Sequence, residues 1–145
     1  MFDVESFLQT TVTQALSTEY LTIPDGEYPA VVKDLAARQH DKEGRKSTIL
    51  DITWSIDDPT VKAAVKRDNP TARQSVFLDL TPEGNLDLGE GMNVQLGRLR
   101  KAVGQNDNGR PWSFGMLRGA AGRVKVETTK DGEKTYTNVT GVRPF

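Results

Sequence analysis

Residues 95–125 bring cations and flat rings together in one short segment. Its bases are Arg98, Arg100, Lys101, Arg110, Arg118, Arg123 and Lys125, against the single acid Asp107, and its aromatic rings are Trp112 and Phe114. Cations neutralise phosphates, and rings stack on unpaired bases whatever their sequence. The segment therefore indicates a surface for single-stranded nucleic acid. The alternative is a solvated basic helix beside two core aromatics.

Catalytic and metal chemistry has little material in this chain. There is no cysteine, and His40 is the one histidine, so thiolate or histidine metal sites and Ser-His-Asp triads are not expected. Asp51, Asp57 and Asp58 have the hard oxygen ligands that a Mg²⁺-dependent nuclease needs. However, the Asp-Asp-Pro run at 57–59 is typical of a turn and a helix cap. We therefore expect a non-enzyme with no metal and no cofactor.

Length and charge favour one globular domain with an acidic arm. The 145 residues carry a net charge of −1, but residues 1–34 hold six acids against one base, Lys33. We divide the chain into an acidic arm or short helix over 1–22 and a folded body over 23–145. The sequence shows no secretory signal and no apolar stretch of the roughly 20 residues that span a bilayer. We expect a cytoplasmic protein without membrane contact.

Alternating apolar residues predict five strands, over 27–35, 47–56, 73–80, 122–127 and 136–142. Apolar residues at helical spacing predict a helix over 92–103, a second over 4–16, and one or two turns over 60–66. A polar loop is expected over 36–46. The Asp-Gly pair at 131–132 predicts a tight hairpin between the last two strands.

This order of elements predicts a mainly β protein: a five-stranded OB-fold barrel with a helix between strands three and four and an N-terminal helical arm. An SH3-like barrel is the competing architecture. In an OB fold the face around strands two and three binds ligands, flanked by the loops between strands one and two and between strands four and five.

Four rings are candidates for base stacking. Phe77 alternates with Val76 and Leu78, so it should face solvent on the predicted binding face, unless the 60–70 insertion covers it. Trp54 shares its parity with core residues, which favours burial over binding. Trp112 lies in a loop beside cations, where it either stacks on bases or caps the barrel, and Tyr136 opens strand five near the hairpin.

Nine cations complete the candidate site. Each alone is an ordinary solvated charge, and together they predict a salt-sensitive phosphate track. They are Arg38, Arg45 and Lys46 in the first loop, Arg73 at the start of strand three, Arg110 beside Trp112, Arg123 and Lys125 on strand four, and Lys130 and Lys134 at the hairpin.

Three stretches of the chain resemble one family. FDVESFL, IPDGEYPAVVKDL, and GRVKVET followed by TYTNV are similar to small phage single-stranded DNA-binding proteins of OB fold. The resemblance implies binding without sequence preference during phage DNA replication or recombination, in the host cytoplasm, with replication or recombination proteins as partners. It brings no catalytic residues. Bacterial single-strand binders end in an acidic tip that finishes Pro-Phe; here Arg143 precedes Pro144 and Phe145, so docking by such a tip is not expected.

A different function stays open beside this one. The near-neutral total charge and the acidic N-terminal helix also fit a phage structural or protein-interaction module without nucleic-acid binding. That helix can pack on the body, pair with a second subunit in a homodimer, or remain loose. The sequence leaves these choices open.

Overall fold

The structure is a computed structural model that describes residues 1–42, 45–132 and 134–145, without the side chains of residues 42, 45 and 46. Its helices are α1 (Val4–Leu8), α2 (Pro59–Val65) and α3 (Val94–Ala102), with a 3₁₀ turn at Phe114–Leu117. Its strands are β1 (Gly26–Lys42), β2 (Arg45–Ile56), β3 (Thr71–Leu78), β4 (Ala121–Asp131) and β5 (Lys134–Arg143).

The strands close into a barrel in the order β1-β2-β3-β5-β4, and β4 pairs back to β1. Neighbouring strands are antiparallel except β3 and β5, which run parallel. The prediction of a mainly β, five-stranded OB-fold barrel is confirmed, as are the helix between the third and fourth strands and the short N-terminal helix.

Alternation along the strands fills the barrel. Val124 and Val126 of β4 are fully buried, and so are Ile52, Trp54 and Ile56 of β2. Close-packed side chains of this size hold the strands at fixed separations. Leu96 and Leu99 of α3 join the same cluster, so the helix after β3 is attached to the barrel by its apolar stripe.

The predicted polar loop over 36–46 is largely strand. β1 continues to Lys42 because β2 offers a partner for each residue, from Ala36 opposite Asp51 to His40 opposite Ser47. Cross-strand hydrogen bonds thus override a composition that is typical of loops. A bulge between Val32 and Asp34 shifts the pairing and turns the even-numbered side chains that follow, from Asp34 onward, to the outside.

The predicted helix over 4–16 is reduced to the five residues of α1. Asp3 caps it by accepting hydrogen bonds from the backbone N–H groups of Glu5 and Ser6. Thr10 then donates its hydroxyl to the Phe7 carbonyl at 2.6 Å, a local bond that competes with helix continuation. Residues 1–22 are all exposed, so tertiary packing does not extend the helix.

None of the described helices is long and apolar enough to cross a membrane.

Candidate nucleic-acid interface

The outer surface of β1, β2 and β3 carries two arginines and an aromatic ring. Cross-strand pairing puts Ile49 between Arg38 on β1 and Phe77 on β3. One step along the sheet, Asp51 lies opposite Ser75. We call the surface formed by Arg38, Asp51, Arg73, Ser75 and Phe77 the arginine face.

Asp51 is the centre of this face. Its Oδ2 accepts from Arg38 Nε at 2.7 Å and lies 2.7 Å from Arg73 Nη2, and its Oδ1 accepts from the Ser75 hydroxyl at 2.9 Å. One carboxylate is thus shared by two guanidinium groups. A positive charge remains on the face after this pairing.

The shared carboxylate stays ionised and fixes both arginines. Burial raises the pKa of Asp51, but the hydrogen bonds from Arg73, Arg38 and Ser75 outweigh burial, so this pKa lies below its ordinary value. The two arginine side chains remain 45% and 57% exposed while one edge of each is held by Asp51. A planar guanidinium held by one edge presents its other N–H groups in a defined direction.

Phe77 faces solvent, with 57% of its surface exposed, while Val76 beside it is buried. The prediction from alternation therefore holds for its orientation, and the 60–70 insertion does not cover it. Its backbone N–H donates to Gln95 Oε1 of α3 at 3.4 Å. Single exposed apolar residues are common on protein surfaces. What distinguishes Phe77 is that it shares one face of the sheet with two fixed guanidinium groups.

The line between β3 and β5 opens into a groove beside this face. Pairing between these strands is confined to Arg73 and Asn138 within the described residues. Beyond that pair, a groove of about 410 Å³ is lined by Ser75, Gln95, Arg98, Val139 and Thr140, among others. We call the line between β3 and β5 the seam. Tyr136 of β5, 46% exposed, lies two residues before Asn138.

Arg98 on this groove and Asp51 at the centre of the arginine face are not among the four rings and nine cations of the predicted site. The sequence predicts the 92–103 helix but not the strands that it contacts. In the structure α3 packs on β3 and β5, which brings Arg98 to the seam. Asp51 was considered only as a metal ligand. Because Asp51 alternates with the apolar residues Leu50 and Ile52, the sequence does predict that its side chain faces outward. Its arginine partners could not be predicted, because they depend on strand register.

Arg123 and Lys125 lie on another part of the barrel, where β4 runs between β1 and β5. Lys125 is 3.6 Å from Glu127. Arg143 of β5 pairs with Glu27 of β1 at 2.6 Å. The Nε atom of Arg123 is buried without a hydrogen-bond partner among the described residues. We call this surface the β4 face; it is separate from the arginine face.

Trp54 was a candidate for stacking, and the structure corrects this. Its ring is fully buried in the barrel, and its Nε1 donates to Gln74 Oε1 at 2.9 Å. No base can reach a ring enclosed by the core. The structure thus supports burial in the core, which the alternation of Trp54 with its neighbours favoured.

Trp112 is engaged at the side of the barrel near α3. The Arg100 guanidinium lies 4.2 Å from its ring centroid, and the Phe114 ring meets it edge-on at 5.1 Å. Its Nε1 donates to Gln105 Oε1 at 2.9 Å. With one face under a cation and an edge contact beside it, this half-buried ring acts as part of the packing that covers the core.

The remaining predicted cations are scattered. Lys130 pairs with Glu19 of the arm at 3.2 Å, and Lys134 is exposed at the start of β5. Arg110 is 82% exposed and lies 3.7 Å from Asp107. Lys130 and Lys134 belong to the hairpin of β4 and β5, whereas Arg110 lies in the loop after α3, so the three cations do not form a single track.

The predicted first-loop cations divide differently. Arg38 belongs to the arginine face because β1 extends through the predicted loop. The backbones of Arg45 and Lys46 begin β2, and their side chains lie outside the described part of the protein.

The three carboxylates considered for a nuclease site have separate partners. Asp51 holds the arginines, Asp57 lies 3.4 Å from Lys62, and Asp58 caps α2 by accepting from the Val61 N–H at 3.0 Å. Over the residues that the structure describes, no group of three His, Cys, Asp or Glu side chains is placed to hold a metal ion.

A scan against protein-family models and a search of curated proteins both return no match to this chain. The resemblance to phage single-strand binders therefore remains a prediction from the sequence.

Proposed function

We propose that this protein binds single-stranded DNA without sequence preference, in phage DNA replication or recombination. The observation that carries the proposal is the arrangement of Arg38 and Arg73 on a shared, buried Asp51, next to the exposed ring of Phe77. The surface spans β1 to β3 and so includes the second and third strands, around which an OB fold binds its ligands.

The chemistry of the face suits a backbone with unpaired bases. Guanidinium N–H groups donate to phosphate oxygens, and phosphate contacts position a strand without reading its sequence. A ring in the same surface offers stacking to any base. Phe77 lies two strands away from Arg38, across Ile49, so a bound strand can place a phosphate on the cation and a base on the ring.

Binding of a labelled strand tests the proposal. The two tryptophans lie outside the arginine face, so a fluorescein-labelled oligothymidine of about 16 nucleotides, near the upper site size of one OB fold, is a better reporter than protein fluorescence. We expect anisotropy to rise at micromolar protein in about 50 mM salt and to weaken strongly by about 200 mM salt. Absence of binding at low salt would refute the proposal.

Phe77→Ala identifies the face that binds. We expect it to weaken binding by about 1–3 kcal/mol, the range for loss of one stacking ring. Phe145→Ala is the matched control, because Phe145 is also an exposed phenylalanine, at the end of the chain beyond β5. Neither ring is buried, so both variants should keep the thermal midpoint of the parent. Equal losses from the two variants would reject the arginine face as the site.

A protein-interaction role is the second candidate, and the N-terminal arm favours it. Phe2 and Phe7 contact each other at 5.3 Å between ring centroids, yet both are more than half exposed. Val4 and Leu8 are exposed on the same short segment. Light scattering on the full chain and on Phe7→Ser tests this role. A larger species that the substitution dissociates, together with no DNA affinity, would select it.

A further inference from the structure

The seam carries a second groove on the far side of the Arg73–Asn138 pair. This groove, of about 540 Å³, lies between the arm, the segment that links α2 to β3, and the start of β5. Thr71 of β3 and Thr135 and Thr137 of β5 line its strand side. The two grooves thus lie along the same pair of parallel strands, on opposite sides of the Arg73–Asn138 pair.

Tyr20 and Arg67 stand at the end of this second groove. The Arg67 guanidinium carbon lies 5.4 Å from the centroid of the Tyr20 ring, a cation-π contact. The tyrosine is 85% exposed despite that contact. A further cavity of about 580 Å³ borders the same part of the arm and adds Lys66. An open ring with two neighbouring cations therefore occurs away from the arginine face.

The arm is anchored at this point although its ring is exposed. Ile23 is buried, and its carbonyl accepts from the Thr128 hydroxyl at 3.2 Å. Asp25 accepts from the Thr128 N–H at 2.9 Å. Glu19 pairs with Lys130, so the acid that lines the groove has a cation of its own. These bonds hold the chain on both sides of Tyr20.

We propose that Tyr20 and Arg67 form a second single-stranded DNA subsite, at the far end of a path that runs along the seam from Phe77 past Arg73. Threonine hydroxyls donate to phosphate and sugar oxygens, Arg67 supplies a cation, and Tyr20 stacks on a base. The proposal rests on the function proposed above and makes the end of the arm part of the binding site.

The length of the path gives the proposal its test. Thr71 and Phe77 are six residues apart on β3, which corresponds to about 20 Å along an extended strand. A strand of about 4 nucleotides, the lower site size of an OB fold, can occupy the arginine face alone, whereas one of about 16 can reach both subsites. Loss of Tyr20 should therefore weaken long oligonucleotides and spare short ones.

Labelled oligothymidines of these two lengths are titrated with the full-length protein and with Tyr20→Ala. We expect the affinity for the long strand to fall about fivefold to tenfold and that for the short strand to stay within about twofold. Arg67→Ala should give the same selectivity for length. Tyr20→Phe keeps the ring and should restore parental affinity, and Leu16→Ala controls for changes to an exposed apolar residue of the arm outside both cavities.

The outcomes separate the two proposals. If the parent protein binds neither strand, the proposed function itself fails. If Phe77→Ala weakens both lengths and Tyr20→Ala changes neither, single-strand binding stands and the second subsite is overturned. Equal loss on both lengths with Tyr20→Ala, or the same loss with Leu16→Ala, also overturns it.

Discussion

The arginine face and the β4 face carry similar charges in different arrangements. On the first, Arg38 and Arg73 share the single buried carboxylate of Asp51, and Phe77 is exposed beside them. On the second, Lys125 and Arg143 are within salt-bridge distance of separate carboxylates, those of Glu127 and Glu27. On the arginine face, the exposed ring of Phe77 thus accompanies two arginines that share one acid.

The difference shows why a count of lysines and arginines does not locate a binding surface. A cation with its own exposed acid offers little to a phosphate, because that acid competes for the same N–H groups. Two guanidinium groups that share one buried acid keep a net positive charge, and their free N–H groups point in a fixed direction.

The two kinds of ion pair also differ in their effect on stability. Surface pairs contribute little, whereas a buried charged group that loses its partner cannot be solvated and so destabilises the fold.

Removing one carboxylate charge from each face gives the largest expected contrast. Asp51→Asn should lower the free energy of unfolding at neutral pH by about 2 kcal/mol, because it weakens charged hydrogen bonds at a buried position. Glu127→Gln on the β4 face should cost less than about 0.5 kcal/mol, since both partners there are well exposed. Urea unfolding measures both. Equal losses would contradict the distinction between the two faces.

The Asp51 contrast should also depend on pH. The folded pKa is lowered, so its contribution to stability is fully present above the unfolded pKa of about 3.9 and is lost as the pH falls through the folded pKa. The gap in unfolding free energy between the parent and Asp51→Asn should be constant from about pH 6 to 8 and narrow below about pH 4. A difference in unfolding free energy that grew on acidification would contradict the lowered pKa of Asp51.

Neutralising one cation on each face tests which of them meets phosphate. Arg73→Gln should weaken oligothymidine binding about tenfold, or about 1.4 kcal/mol, and lower the salt slope by about 0.7 for one lost contact. Arg38 remains to pair with Asp51 in this variant. Lys125→Gln should leave affinity and slope nearly unchanged. A larger slope change from Lys125→Gln would move the interface to the β4 face.

Tyr136 measures how far the interface extends across the seam. Tyr136→Ala should weaken binding of the long oligothymidine by about 1 kcal/mol, the lower end of the range for one stacked base. Thr129→Ala, at the position paired with Tyr136 on β4, is the control and should have no effect. If Tyr136→Ala binds the long oligothymidine as tightly as its control does, the interface does not include the part of β5 before Asn138.

The barrel was predictable because its signals are local. Two-residue alternation marked Trp54 and Val124 as inward, and the same pattern marked Phe77 as outward. The extension of β1 was not predictable, since its polar residues are held in a strand by pairing with β2. The shortened α1 shows the reverse case: a helical pattern over 4–16 fails where no tertiary partner covers it.

The site was only partly predictable for a different reason. Arg38, Arg73 and Phe77 could be proposed one by one, but their meeting at Asp51 depends on the register of three strands. Arg98 required knowledge of how α3 leans on the seam. Arg123 and Lys125 point outward as expected, but they lie on the β4 face, away from Arg38 and Arg73. Sequence patterns give direction within an element and leave neighbours across elements undetermined.

Trp112 gives the smallest expected effect on binding and tests the segment that leads to β4. Its ring already contacts Arg100 and Phe114, which leaves little of it for a base. Trp112→Phe should therefore change the affinity for oligothymidine by less than about twofold, or about 0.4 kcal/mol. The same substitution removes the hydrogen bond to Gln105, which should lower the unfolding free energy by about 1 kcal/mol. Measured together, a stability loss without an affinity loss identifies a packing role. An affinity loss with unchanged stability would indicate that the basic segment before β4 contacts DNA. It would count against the arginine face as the binding site.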